Sequence, residues 1–481
     1  MIDRRSVLLA AAPVMMAASG AAARTVDPAV KVQALLKAEM AERRIPGLQY
    51  AVVKGGRIVL EGALGEADIR YRAPATTTSL FPIYSCTKAF TGVATMQLVE
   101  AGKLDLDAPV ARYLDGLPEA WRPITIRQLA AHASGLPNII NNQTGALIGG
   151  DEASTWEKVY ATPLRAPPGD RFAYCQTNPA LLGRIFEKLS GKPATRFMAD
   201  GQFVPAGMTR TGFGDNADVT PGKVTAYNRR FTDPLGEGEL RHVLAEFPEE
   251  RRTATGMLTT ASDIGRWLIA LQAGRLLNAE SRKTMWTPYV FNNGKPGDWA
   301  VSWVANTRPV HRSVGMTGGS ACAFALFPED DVGVVLLTNL GGGYPEDVTD
   351  EIAALYIPGM RLNGIAALRA RLRGKDYATA GQAAEALKRE DPAFRLGEGE
   401  LNDWGYRLLR GGGRKPFQAI ELFKLNTVLY PDSGNTFDSL ADAYGVVGDK
   451  PRAIENYRRS VALDPGNTHA IEQLKRLEAP Q

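Results

Sequence analysis

The stretch "PIYSCTKAF" (residues 82–90) sets a serine three places before a lysine with no other charge nearby. A serine hydroxyl is a poor nucleophile until a base takes its proton. Side chains three apart on a helix are neighbours, so Lys88 can reach Ser85. Nucleophile and base is one reading of the pair. The other makes Ser85 a helix cap and Lys88 a surface residue, and four letters alone do not decide between them.

Two later stretches bear on the choice. "RFAYCQTNPALLGRIFEKLSG" places Tyr174 just ahead of a predicted helix, and "SVGMTGGSACAFALFP" contains a glycine-rich strand edge, Met316-Thr317-Gly318-Gly319. With "SCTK" these resemble the three motifs of the penicillin-recognising serine hydrolases: the S-x-x-K nucleophile, the Y-x-N loop and the K/H-T-G strand. "VEAGKLDLDAPVARYL", "LAAHASGLP" and "GMLTTASDIGRWLIAL" are similar to the same family, and the likeness runs in order from about residue 35 to 345. It is strongest to the class C β-lactamase and esterase branch.

The resemblance implies an α/β fold, an antiparallel sheet flanked by helices with an all-helical lobe; with so few histidines and cysteines, no metal or cofactor is expected. It implies Ser85, Lys88 and Tyr174 as catalytic residues, with the phenol carrying the proton to the leaving group and later activating water. It implies substrate binding by Gln176, Met316, Thr317, Gly318 and Gly319, with the Ser85 and Gly319 amides as the oxyanion hole. Backbone donors of this kind are each worth about 3 to 4 kcal/mol of transition-state stabilisation. Two positions depart from the pattern. Gln176 stands where the family has Asn, and Met316 where it has Lys or His. A longer amide needs a local shift, and a thioether offers substrate no charge.

Other reactive side chains fit less well. No G-x-S-x-G elbow is present, and none of the four histidines has a zinc-ligand spacing to another. His132 in "AHASGLP" is expected to pack and hydrogen-bond in the second lobe, and His311 either substitutes for the missing strand cation or is an ordinary strand residue. All three cysteines (Cys86, Cys175 and Cys322) lie in the motif segments, either as small buried residues or as a redox-sensitive pair.

The elements that position these groups are legible in outline. "LQYAVVKGGRIVLEGALGEAD" reads as two strands around Gly55-Gly56, and "ACAFALFPEDDVGVVLLTNL" as two more around Glu329 to Asp331. "TKAFTGVATMQLVEAGKL" reads as a helix with Phe90, Val93, Met96, Leu98 and Val99 on its apolar face. Strands at both ends with helices between predict one sheet built from the two ends of this region.

The 481 residues carry 44% hydrophobic and 22% charged side chains, ordinary for a globular protein, and a net charge of +4 with no basic block. Nucleic acid and membrane surfaces are therefore not expected partners. Residues 1–23, with Arg4-Arg5, an apolar run and Ala21-Ala22-Ala23, read as a twin-arginine export signal, implying a periplasmic or secreted protein. No later run approaches about 18 apolar residues, so no membrane span is expected after its removal. Residues 31–356 form the expected hydrolase domain and 357–400 a helical linker or degenerate repeat. In 401–481, Pro431 and Pro465 lie 34 residues apart, and Leu440, Ala441, Tyr444, Ala453, Tyr457 and Pro465 fall at the positions of a tetratricopeptide repeat.

The expected function is a serine hydrolase forming an acyl-enzyme at Ser85 on a small-molecule or peptide substrate, with neutral esters or amides favoured over β-lactams. The alternative is a weakened acyl-binding scaffold. In either case the repeats offer a surface for a protein partner.

Overall fold

The computed structural model describes residues 27–141, 144–215, 218–233 and 235–479. The expected export signal lies outside them. Helix α1 (Pro28–Arg43) starts where Asp27 accepts a hydrogen bond from the Ala29 amide and Pro28 fills the first position, where its missing N–H costs nothing. Strands β1 (Gly47–Lys54) and β2 (Arg57–Asp68) follow as a hairpin across Gly55 and Gly56. Both glycines have positive φ, 59° and 67°, which this two-residue turn requires. A short β3 (Ala73–Pro74) pairs with β2.

From the far end of the region come β4 (Val304–Asn306), β5 (Ser313–Gly318), β6 (Cys322–Phe327) and β7 (Val332–Thr338). The sheet runs β3-β2-β1-β7-β6-β5-β4, antiparallel throughout. The β1–β7 pairing, Leu48 opposite Thr338 through Lys54 opposite Val332, joins the two ends as the strand pattern predicts.

Both faces of the sheet are covered, which is why β1 and β7 are almost wholly buried. On one face Val32 and Leu36 of α1 and Ile352 of the helix Thr349–Ala354 meet Leu48, Val52 and Val334. On the other lie helices α2 (Thr87–Glu100) and, later in the chain, α4 (Ala261–Gln272). Phe90 of α2 stacks on Trp267 of α4 with ring centroids 3.8 Å apart, and Trp267 stacks on Trp303 at 5.5 Å. Such pairs add about 0.5 to 1.5 kcal/mol each beyond area burial, and here they fix the helix that carries Lys88. The same core continues into a helical lobe that includes α3 (Thr177–Ser190).

The C-terminal region is helical. Helices α5 (Glu398–Arg410), α6 (Pro416–Leu429), α7 (Gly434–Val446), α8 (Lys450–Leu463) and α9 (Thr468–Glu478) each pack on the next. Leu440, Ala441, Tyr444, Ala453 and Tyr457 are buried together, while Pro465 is exposed in the turn after α8. Leu368, Leu372 and Tyr377 share a core with Leu401, Trp404 and Leu422, so packing is continuous across residue 400.

Candidate active site

Ser85 lies in a single 3-10 turn, Tyr84–Cys86, that runs directly into α2. Tyr84 has φ 45°, a left-handed conformation that a bulky residue holds only when its surroundings enforce it. Strand β5 supplies that enforcement. A methyl group on Gly318 would fall 2.2 Å from the Ile83 carbonyl oxygen and 3.0 Å from the Ser85 nitrogen. One on Gly319 (φ 57°) would fall 2.7 Å from the Tyr84 ring. The end of β5 and the serine turn therefore touch backbone to backbone, which only glycine permits.

Three of the expected residues converge. Ser85 Oγ accepts a hydrogen bond from Lys88 Nζ at 3.2 Å and shares one with the Tyr174 hydroxyl at 2.8 Å. Lys88 is 1% exposed, and its ammonium also donates to the Ala254 carbonyl at 2.9 Å and lies 4.9 Å from the centre of the Tyr174 ring. Lys88 is thus turned inward onto the serine, and the surface-residue reading of the motif fails.

Tyr174 is walled by aromatic rings. His132 lies 4.5 Å from it, Trp299 5.6 Å and Phe172 6.4 Å between centroids. His132 Nδ1 accepts from the Cys175 amide at 3.2 Å and lies 3.1 Å from Asn178 Nδ2, which leaves the ring proton on Nε2. Burial, reinforced by the Lys88 charge, holds His132 well below its ordinary value, so it is neutral. Burial pushes the Tyr174 phenol up. The Lys88 ammonium, with hydrogen bonds from Lys88, Ser85 and Gln176, outweighs this and leaves the phenol below its ordinary value.

The remaining expected residues fall as follows. Gln176, just before α3, donates its backbone N–H to Asn138 Oδ1 at 3.0 Å, and its side chain helps to lower the Tyr174 phenol despite its extra methylene. Its Oε1 is buried with no partner among the described residues. On β5, Thr317 and the adjoining Gly319 are exposed, whereas Gly318 is buried and Met316, 3% exposed, belongs to the apolar core. Among the described residues neither the Ser85 nor the Gly319 amide donates to a protein acceptor. His311 sits before the opposite end of β5, bonded to Asp330 at 2.9 Å, and does not stand in for the strand cation.

The cysteines are all buried thiols. Cys322 Sγ donates to the Pro82 and Gly318 carbonyls, and Cys86 Sγ to that of Met316 at 3.5 Å. Burial, then the neighbouring Cys86, pushes the Cys322 thiol well up, and burial raises Cys175. Cys86 and Cys322 thus tie the serine turn to β5 and β6, whereas Cys175 Sγ donates to the Pro137 carbonyl at 3.3 Å.

Sequence reasoning did not find Ala254, whose contribution is a carbonyl oxygen, or the Phe172–Trp299 wall. A main-chain acceptor carries no side-chain signature. The wall joins residues more than a hundred positions apart, so no local pattern announces it.

A family model described as Beta-lactamase matches residues 32–357. "Protein flp" of Staphylococcus aureus (strain MRSA252) is 24% identical over 356 residues, covering 72% of this chain and 69% of its own. Among solved structures, the octameric penicillin-binding protein homologue from Pyrococcus abyssi superposes with a TM-score of 0.58 at 26% identity, covering 72% of this chain and 78% of that one. EstCE1, a hydrolase with promiscuous acyltransferase activity, shares the fold with a TM-score of 0.58 at 22% identity, over 69% of this chain and 98% of its own.

Proposed function

Because the chain belongs to the beta-lactamase family, we propose that it is a serine hydrolase whose nucleophile is Ser85. The observation that carries this reading is the joint contact of Ser85 Oγ with Lys88 Nζ at 3.2 Å and the Tyr174 hydroxyl at 2.8 Å. As Ser85 Oγ attacks a substrate carbonyl, its proton passes to the Tyr174 oxygen, deprotonated beside the Lys88 ammonium, and the new oxyanion takes hydrogen bonds from the Ser85 and Gly319 amides. Collapse breaks the ester or amide bond, the Tyr174 hydroxyl returns the proton to the leaving oxygen or nitrogen, and Ser85 is left acylated. Water, deprotonated by the same pair, then releases the acid and restores the serine.

The substrate is a neutral ester or amide. Met316 brings no charge to the strand, and Thr317 offers a single hydroxyl there. The hydrolase unit is residues 31–356, with a helical linker to 400. Residues 401–481 are tetratricopeptide-like and present a surface to a protein partner. Export to the periplasm or beyond follows from residues 1–23.

The unpartnered Gln176 Oε1 favours one second reading, an acyl-binding protein that does not turn over. Rapid-quench mass measurement with p-nitrophenyl acetate tests both. A transient acetyl group on Ser85 with continuing nitrophenol release supports the hydrolase. A permanent acetyl group supports the acyl-binding protein, and no acetylation refutes both.

A further inference from the structure

The glycines Gly411, Gly412 and Gly413 between α5 and α6 are closed in by the hydrolase region. A methyl group on Gly413 would meet the Glu42 carbonyl oxygen at 2.4 Å, and one on Gly412 the Leu340 side chain at 2.7 Å. The Gly412 amide donates to the Gly342 carbonyl at 3.2 Å. This is backbone docking of the C-terminal helices onto the end of α1 and the loop after β7.

Arg407 of α5 reaches into that loop. Its Nη1 pairs with Glu346 at 3.1 Å and with Asp347, and its guanidinium covers the Tyr344 ring at 4.8 Å. Asp347, its side chain 4% exposed, also takes Arg43 at 2.9 Å and Arg369 at 3.1 Å, so the contact is part of a buried network. Tyr344, with φ 44°, donates its amide to the Ser320 carbonyl at 2.9 Å. Ser320 (φ 51°) follows Gly319 (φ 57°) in the turn from β5 to β6. A serine there is strained by its Cβ and stays only when held from outside. Two contacts thus separate Arg407 from the turn that displays the Gly319 amide.

We propose that Arg407 is a positioning residue for the hydrolase site: through Tyr344, the C-terminal helices hold the Gly319–Ser320 turn so that the Gly319 amide faces the same point as that of Ser85. This rests on the serine-hydrolase reading, in which that amide stabilises the oxyanion. The helical region is on this account part of the catalytic architecture.

The test uses the full-length protein and two readouts, ester turnover and hydrogen–deuterium exchange of residues 316–322. Arg407→Ala lowers kcat by about tenfold or more, since small misplacements of a donor cost that much, and leaves KM within about twofold. The same variant speeds exchange in the segment, and Arg407→Lys, which keeps the charge without the planar fork, falls between. Arg458→Ala, which breaks an exposed pair with Glu478, changes neither. If Arg407→Ala loses its cooperative melt, Arg407→Lys carries the same readouts. Wild-type turnover or wild-type exchange in the folded variant overturns the proposal. If the wild-type protein shows no turnover, the hydrolase reading falls by itself. Exchange then decides whether the helices hold the turn: faster exchange supports the hold, and unchanged exchange overturns it.

Discussion

Gly318 lies against the nitrogen of Ser85, so close that a methyl group in place of its hydrogen would come within 3.0 Å of that atom. The end of β5 and the turn that carries Ser85 are thereby held main chain to main chain.

Gly318→Ala must push the two apart, because the Ile83 carbonyl 2.2 Å from the new methyl group is main chain and cannot swing aside. The expected cost is about 1 to 3 kcal/mol of stability, typical of overpacking. Labelling of Ser85 by a fluorophosphonate should slow by about tenfold or more. Thermal melts and labelling time courses check this, and wild-type values in both would show that the contact is loose.

The Tyr174 phenol is lowered by Lys88 against the upward push of burial. If Tyr174 must shed its proton to act, kcat/KM should rise with pH along a limb below the ordinary phenol value of about 10. In Lys88→Met the cation is gone and burial remains, so the limb of the residual activity should move upward. A limb that stays in place in Lys88→Met would assign it to another group.

Away from the serine, Glu250 is pushed up to about 7 by burial and by its hydrogen bond to Glu152. A folded-state value above the unfolded one favours the protonated form, so the contribution is complete at acid pH and lost as pH rises through 7. Glu250→Gln keeps a donor toward Glu152 and removes the charge. Its Tm should exceed that of the wild-type protein at about pH 8, with a smaller difference at about pH 5. An equal offset at both values would mean that Glu250 does not titrate in this range.

An anionic substrate meets no cation from Met316, and losing one charged hydrogen bond costs about 1.5 to 3 kcal/mol, or roughly ten- to a hundredfold in kcat/KM. Short neutral p-nitrophenyl esters should therefore be cleaved measurably, and cephalosporins weakly or not at all. Parallel assays on one preparation decide, and efficient cephalosporin turnover without ester cleavage would contradict this view of Met316.

What the sequence disclosed follows from how each group acts. Ser85 and Lys88 are bound to a fixed spacing because a helix turn must bring them together, and the paired glycines of β5 because the backbones touch. Those signals are local and were readable. The β1 and β7 strands were readable as apolar runs flanked by turn residues. Met316 shows the limit. Its type was plain from the sequence, but its 3% exposure, with Thr317 facing out instead, depends on which side of β5 each residue takes. The glycines at 411–413 carry no local signal of their packing, because their contacts, Glu42 and Leu340, lie far away in the chain.

In the proposed hydrolase, Lys88 and Tyr174 activate Ser85 as the nucleophile. Incubating the full-length protein with a fluorophosphonate and mapping the added mass by peptide measures this directly. Displacement of fluoride should leave one phosphonyl group on the peptide containing Ser85. Ser85→Ala should take up none, and Lys88→Ala should react about a hundredfold more slowly or worse. Labelling of Ser85→Ala at the wild-type rate, or modification mapped to another residue, would contradict the account.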